Sequence, residues 1–343
     1  MRVITRLVAA ALLAAPVLGA SPPPAVAQDR RDEQFYYPGR FNWRFLARYP
    51  EAARLFNAFD YGHAVLYETL LTQRGEEAAR ALDRAYAYLV GDLLVRPPRF
   101  AVPEEAIEPR YAKLVWRAMV MFDWAHVLHR QIYDVYADDR LPMAAKDSLI
   151  ERITDYYLSR KGYAFAAVPK TMELMDSQPF SQVFRRTHPQ FNGLIWAYHW
   201  LQVGLYEPLI VYETEADRHA GVDATVARFR RMLEGPPGSM PKVMPMTAAV
   251  APEFARRHPR AAAVFDNLHM MHDIVSDLLM ADSLDSGGTR AAIYAQLDEF
   301  RDSSRNVMPL EHWWMMGDMM GGVDLMGGTG IGPWTLAHPD TAR

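Results

Sequence analysis

The feature that most constrains the fold is the motif Phe-Asp-x-x-His, which occurs three times within apolar segments and begins at Phe59, Phe122 and Phe265. Asp and His three residues apart lie on one face of an α-helix. Burying such a pair without partners costs several kcal/mol per charge. Any fold of this chain must therefore supply a hydrogen-bond partner or a cation to each pair.

The surroundings of the motif are also repeated. The second and third copies continue to another histidine one turn later, and a fourth apolar segment keeps His199 but has Trp196 where the Asp would be. A proline precedes each segment, and the distances from proline to motif histidine are 13, 17, 10 and 10 residues. These differences are close to whole helical turns, so the histidines are predicted to stay on one side.

Apolar residues recur every three to four positions in segments that prolines and glycines begin or end, which predicts helices. No segment has the pattern of a strand. The predicted helices are Pro50–Thr72, Gly75–Val95, Pro109–Ala137, Pro142–Lys161, Pro189–Tyr212, Ala216–Glu234, Pro259–Met280 and Arg290–Arg301. Apolar helices that carry the motif alternate with charged, amphipathic ones. We therefore expect an all-α protein in which an inner four-helix bundle is surrounded by an outer layer of cover helices.

The N-terminal segment is typical of a secretory signal peptide. Arg2 and Arg6 precede an apolar stretch over residues 7–18, and a small-x-small cleavage site ends at Ala27. Residues 1–27 are accordingly predicted to be a signal peptide, with an uncleaved membrane anchor as the alternative, and no later segment is apolar enough to span a membrane. Arg-rich, Ala-rich composition with five lysines favours a bacterial protein, periplasmic or secreted.

The rest of the chain is predicted to form three parts. Residues 28–49 are expected to be an irregular aromatic arm, residues 50–305 a helical metal-binding domain, and residues 306–343 a Met- and Gly-rich tail that packs on the bundle. The tail contains several of the 19 methionines, whose thioethers suit Cu(I). Core packing and a closing lid are the alternatives, and packing is favoured.

Composition excludes several kinds of site. The 343-residue chain has no cysteine, so disulfides, thiolate metal sites, iron–sulfur clusters, a cysteine nucleophile and covalent c-type haem are all excluded. A net charge of −4 gives no overall basic character of the kind that favours nucleic-acid binding. The motifs of serine hydrolases, P-loop proteins, dinucleotide-binding proteins and HExxH zinc proteins are also absent.

Carboxylate and imidazole side chains that project from facing helices are how helical bundles build two-metal sites. Ferritin-like proteins use Glu-x-x-His for this purpose, whereas the acid here is the shorter Asp, so the likeness is a shared physical solution and does not indicate that family. The predicted metal ligands are Asp60, His63, Asp123, His126, His199, Asp266 and His269. The residues predicted to orient them, or to act as reserve ligands, are His129, His272, Asp273, Gln202 and Tyr67.

Ligands of this type without sulfur suit iron, with zinc, manganese and copper as alternatives, and non-covalent haem b held by two histidines is a further alternative. The predicted partner is thus a metal ion or a small molecule. Oxidative chemistry on O₂ or peroxide at a dinuclear iron site is the favoured function. The other hypotheses are a zinc hydrolase, a non-catalytic iron- or copper-binding protein, and a scaffold in which the Asp–His pairs are purely structural.

Overall fold

The computed structural model describes residues 35–281 and 285–332. Over these residues the chain is helical, and its one extended pairing is an isolated bridge between Lys170 and Val307. The prediction of an all-α protein is therefore confirmed. Residues 1–27, predicted as a signal peptide, lie outside the described residues. In the described ranges, no helix has both the length and the apolar character needed to cross a membrane.

The helices are numbered in chain order. They are α1 (Arg44–Arg48), α2 (Pro50–Thr72), α3 (Gly75–Tyr88), α4 (Glu104–Ile107), α5 (Pro109–Tyr136), α6 (Met143–Ser159), α7 (Glu173–Asp176), α8 (Val183–Thr187), α9 (Pro189–Gly204), α10 (Tyr206–Val211), α11 (Glu215–Met232), α12 (Thr247–Val250), α13 (Pro252–Arg257), α14 (Pro259–Met280), α15 (Ser286–Arg301) and α16 (Leu310–Met319). A π-helical turn follows α3 at Leu89–Leu93, and a 3₁₀ turn lies at Val323–Met326.

Two predicted helices, α2 and α14, have the observed bounds, whereas the helix predicted over Pro189–Tyr212 is divided into α9 and α10. The division occurs because Pro208 has no N–H with which to reach the carbonyl of Gly204. The predicted irregular arm also contains a helix, α1, directly before Pro50.

The junctions before the four histidine-bearing helices have one geometry. In each, a single residue with φ between −130° and −118° and ψ between 54° and 61° separates a short helix from a proline at the first position of the next helix. These residues are Tyr49, Glu108, His188 and His258. A residue before proline is excluded from the α-helical region, so each short helix must end there, and the proline then starts the next helix.

The two halves of the fold repeat each other, with α1 and α2 corresponding to α8 and α9. Trp43 and Gln182, which precede α1 and α8, both have left-handed φ values, of 72° and 64°. Asp134 on α5 accepts hydrogen bonds from backbone N–H groups at the start of α1, at 2.7 and 2.8 Å. Asp277 on α14 accepts the equivalent bonds at the start of α8, also at 2.7 and 2.8 Å. The repeating unit is therefore half of the chain, which is larger than the predicted pair of helices.

In this repeat, α5 corresponds to α13 and α14 together. Val115 inside α5 has φ −135° and ψ 49°, close to the −130° and 60° of His258 between α13 and α14. Pro109 of α5 and Pro252 of α13 both precede a motif histidine by 17 residues. The longer spacing in the second motif segment therefore arises because α5 includes the counterpart of the short helix α13.

The histidine-bearing helices lie at the centre of the contacts: α2 packs against α5, α9 and α14, and α5 also packs against α14. On the outside, α6 packs on α5, and α15 packs on α14 and α5. The C-terminal helix α16 packs against α12, with Trp313 fully buried, whereas Met315 and Met319 are exposed. The methionines of α16 therefore divide between packing and solvent.

Candidate metal centre

Six histidines meet in the interior, each at most 2% exposed. They are His63, His126, His129, His199, His269 and His272. Each has at least one buried ring nitrogen with no hydrogen-bond partner among the described residues. Buried polar atoms are nearly always paired in folded proteins, so six such nitrogens in one place indicate a ligand that completes them.

The first group that could hold a metal consists of His63, His199 and His272, contributed by α2, α9 and α14. One nitrogen from each lies within 4.8 Å of the others. His63 and His272 have ring centroids 4.0 Å apart, and Nε2 of His199 lies 3.3 Å from Nδ1 of His272. Nitrogens that ligate one ion at about 2.1 Å are at most about 4.2 Å apart. Small movements of the rings would therefore close this group, the histidine triad, on one ion.

The second group consists of Asp60, Glu104 and His126, whose ligand atoms also lie within 4.8 Å of one another. Asp60 accepts a hydrogen bond from the guanidinium of Arg130 and lies 3.1 Å from Nδ1 of His126. All three members of this group, the carboxylate triad, are at most 4% exposed. Its two carboxylates and one imidazole suit iron, manganese or zinc.

The two triads are neighbours. Asp60 and His63 are one turn apart on α2, and the rings of His126 and His272 have centroids 5.7 Å apart. The Asp and His of the first motif copy therefore serve different triads. Adjacent groups of this kind are the arrangement in which proteins hold two metal ions.

Two further acids lie beside the carboxylate triad. Glu108 is fully buried, and neither of its carboxylate oxygens has a hydrogen-bond partner among the described residues. Burial raises the pKa of Glu104 and of Glu108 well above the ordinary value, and the negative charge of Asp123 raises the pKa of each further. A cation would relieve both the desolvation and this repulsion.

Burial has the opposite effect on the imidazoles. It lowers the pKa of His63 and of His269 to about 3, and it lowers the pKa of His126, His199 and His272 well below the ordinary value. The rings are therefore neutral at physiological pH, which is the form that binds metals.

Four of the predicted ligands thus belong to the triads: Asp60, His63, His126 and His199. His272, predicted as a reserve ligand, belongs to the histidine triad. Glu104 was not predicted at all, because it lies on a short helix outside every motif copy. One signal was available in the sequence. Glu104 lies five residues before Pro109, and Thr247 lies five residues before Pro252, so the two residues have the same position in the repeat.

The other predicted ligands lie outside the triads. Asp123 is half-buried beside Glu104 and Glu108. Asp266 accepts hydrogen bonds from the backbone N–H and the hydroxyl of Thr247, at 2.8 and 2.6 Å, and from the indole of Trp313 at 2.7 Å. Both of its oxygens are therefore engaged by protein groups.

His269 stacks on His199 with ring centroids 4.0 Å apart, and its Nε2 lies 3.0 Å from Oε1 of Gln202. Gln202 thus orients His269, as predicted for a residue that supports the ligands. A haem would need two histidines on opposite faces of a porphyrin. The imidazole of His199 lies directly against those of His269 and His272, so no porphyrin fits between His199 and either of them.

The remaining predicted supporting residues also lie near the site. Asp273 accepts a hydrogen bond from the indole of Trp196 at 2.9 Å. The Tyr67 hydroxyl donates to the backbone carbonyl of His272 at 3.3 Å. Nδ1 of His129 is 2.7 Å from the hydroxyl of Tyr206.

The histidines outside this cluster differ in burial. His188 and His219 are half-buried, and His312 is exposed. His258, at the start of α14, is fully buried and lies 3.1 Å from Glu151 and 3.3 Å from Asp147. His338 lies outside the described residues.

A small cavity of about 30 Å³ is lined in part by Phe56, Asn57 and Arg130. The guanidinium of Arg130, which binds Asp60, lies between this cavity and the triad.

Comparisons with protein-family models, with curated proteins and with solved structures give no match for this chain.

Proposed function

We propose that this chain is a redox metalloprotein that binds two metal ions, preferably iron, in adjacent positions and uses them on dioxygen or hydrogen peroxide. The observation that carries the proposal is the contact between a histidine triad and a carboxylate triad, both buried and both with imidazole nitrogens that have no hydrogen-bond partner among the described residues. His63, His199 and His272 would hold one ion, and Asp60, Glu104 and His126 the other.

Iron in such a set supplies one-electron redox chemistry, which suits ligands that contain imidazole and carboxylate but no sulfur. The residues of the chain hold the ions, keep water away and fix the charge. Arg130 holds Asp60 in place through a charge-assisted hydrogen bond. With a cation bound, Glu108 and Asp123 would be ionised and would add negative charge beside the carboxylate triad, which would favour the more positive oxidation state.

The burial of both triads favours a small substrate. Every triad member is at most 4% exposed, so an ester or a peptide bond cannot reach the ions while the surrounding helices stay packed. Dioxygen and peroxide are small enough to enter from the cavity beside Arg130. This argument ranks oxidative chemistry above the zinc-hydrolase hypothesis.

The same burial favours one second candidate, a protein that holds metal without catalysis. An ion enclosed by α2, α4, α5, α9 and α14 exchanges slowly with solvent, which suits storage or delivery.

The proposal also includes the surroundings of the site: α2, α5, α9 and α14 form an inner bundle with the amphipathic helices outside it, in a protein exported to the bacterial periplasm.

The test is elemental analysis of protein purified from its native compartment. We expect about two ions per chain, mainly iron, and about one after either His63→Gln or His126→Gln, because each substitution disables one of two adjacent positions. Gln preserves size and polarity, and circular dichroism checks that each variant folds.

The matched control is His219→Gln, since His219 is half-buried on α11 and stacks on Tyr49 away from both triads. Its metal content should equal that of the unmodified protein. Metal well below one ion per chain, or equal losses in all three variants, would contradict the proposal. Consumption of peroxide by the loaded protein separates catalysis from storage.

A further inference from the structure

One member of the six-histidine cluster, His129, is paired with a buried tyrosine. Tyr206 is fully buried, and its hydroxyl is 2.7 Å from Nδ1 of His129. The two rings are nearly parallel, with an interplanar angle of 8° and centroids 5.7 Å apart. When His129 carries its ring proton on Nε2, the phenol donates this hydrogen bond to Nδ1, which provides a ready path for the phenol proton.

Stacked rings connect this pair to the histidine triad. The ring of His129 lies 6.1 Å from that of His269 at an interplanar angle of 20°, and His269 lies 4.0 Å from His199 at 8°. His199 belongs to the histidine triad. An electron that leaves Tyr206 therefore has a continuous column of aromatic rings to the proposed metal position.

The internal repeat supplies an equivalent tyrosine without a base. Tyr67 on α2 and Tyr206 on α10 both lie 17 residues after the proline that starts their helical segment, and each is next to a histidine of the cluster. The hydroxyl of Tyr67, however, donates to the backbone carbonyl of His272, which cannot take up a proton. Of these two tyrosines, Tyr206 alone has an imidazole nitrogen as its partner.

Proton transfer decides whether a buried tyrosine can be oxidised. Burial raises the pKa of Tyr206 well above 10, so the phenol is neutral at physiological pH. Loss of an electron alone would leave a radical cation in a low-dielectric interior, which is costly. Simultaneous transfer of the proton to His129 leaves a neutral radical and places the positive charge on an imidazole. Burial lowers the pKa of His129 well below its ordinary value, but imidazole is still a far stronger base than a phenoxyl radical. Tyr67 lacks that outlet.

We infer that Tyr206 is a redox-active residue that gives one electron to the metal site while its proton passes to Nδ1 of His129. The inference rests on the proposed function. With hydrogen peroxide as oxidant, the O–O bond breaks and two electrons reduce it to two waters. One electron comes from a ferrous ion, which becomes ferric, and the other from Tyr206. Solvent supplies the two protons taken up by peroxide, and the phenol proton stays on His129.

The test mixes ferrous-loaded protein with hydrogen peroxide, freezes it within milliseconds and records the electron paramagnetic resonance spectrum. Protein grown with ring-deuterated tyrosine identifies a tyrosyl signal by its narrowing. We expect Tyr206→Phe to reduce the signal at least about tenfold, and His129→Gln to do the same, since a positioned base contributes about 10²–10⁴ in rate. Tyr67→Phe is the matched control and should retain the signal per iron bound.

Iron content is measured in every sample, and circular dichroism confirms folding. A signal that persists in Tyr206→Phe, or that disappears in Tyr67→Phe instead, overturns the inference. Iron binding and peroxide consumption without any tyrosyl signal overturn it while the proposed function stands. A chain that binds no iron overturns the proposed function and the inference with it.

Discussion

Asp123 and Asp266 have the same position in two copies of one motif, yet their surroundings differ. Asp123 faces Glu104 and Glu108, and the mutual repulsion of these acids favours a cation. Asp266 faces Thr247, the counterpart of Glu104, and donors from Thr247 and Trp313 engage both of its oxygens. A single exchange of acid for hydroxyl thus converts a cation-attracting position into a structural one.

Asp266→Asn should therefore reduce stability without reducing metal content. An amide in this position places an N–H group against the indole N–H of Trp313 or against the donors of Thr247, so a buried donor loses its acceptor. We expect the free energy of unfolding to fall by about 1–3 kcal/mol. Urea denaturation measures this change, and elemental analysis measures the metal.

The comparison variant for Asp266→Asn is Asp60→Asn, because Asp60 belongs to the carboxylate triad. That variant should lose about one ion per chain. Loss of an ion from Asp266→Asn as well would show that Asp266 is a ligand after all.

At the scale of helices, buried acids hold the junctions in place. Glu207 on α10 accepts a hydrogen bond from the backbone N–H of Glu253 at 2.9 Å and one from that of Phe254 at 3.4 Å. Glu68 on α2 accepts bonds from the backbone of Arg110 and Tyr111 in the same way. Helix α10 therefore fixes the first turn of α13, and helix α2 fixes the first turn of α5.

Glu207 also makes stability depend on pH. Burial raises its pKa from 4.5 to about 7, despite the opposing backbone hydrogen bonds. Between these two values the folded chain binds more protons than the unfolded chain, so the contribution of Glu207 to stability is full below pH 4.5 and is lost as the pH rises to about 7.

Glu207→Gln removes this ionisation. Relative to the Gln variant, the unmodified protein should lose on the order of 2–3 kcal/mol of unfolding free energy between pH 5 and pH 8, at about 1.4 kcal/mol per unit of pKa. Urea unfolding at several pH values measures the difference, and Glu215→Gln serves as an exposed control. Parallel pH profiles for the protein and the Glu207→Gln variant would contradict this cause.

The whole molecule encloses a cluster of groups that are unfavourable without a ligand. At its centre lie several buried acids and six neutral histidines, each with a nitrogen that has no hydrogen-bond partner within residues 35–281 and 285–332. They are surrounded by an apolar core that extends from Tyr36 to Met326. Binding of the proposed metal ions would therefore be coupled to folding, because the candidate ligands come from helices that are far apart in sequence.

Removal of metal should destabilise the whole fold. Free metal at a hundred times the Kd stabilises a one-site protein by about 2.7 kcal/mol, so two sites give about twice that amount. We expect a chelator to lower the Tm of the loaded protein, as followed by circular dichroism. The double variant His63→Gln, His126→Gln should show no chelator effect, and an unchanged Tm in the loaded protein would refute the coupling.

The sequence by itself determined the helical class, the bounds of α2 and α14, and the set of apolar helices that carry the histidines. Proline, which both ends one helix and begins the next, acts locally, and so does the 3.6-residue periodicity. The chemical nature of the candidate site, carboxylate and imidazole without thiolate, also followed from composition, since no fold can supply a cysteine that the chain lacks.

Only the tertiary structure decided which of these residues meet. It separated Asp60 and His63 into different triads and engaged both oxygens of Asp266 in hydrogen bonds. It also placed Glu104 in the carboxylate triad, although Glu104 lies on a four-residue helix outside every motif copy. The physical reason is that helical periodicity fixes which side chains share a face, whereas the packing of helices distant in sequence fixes what each face meets.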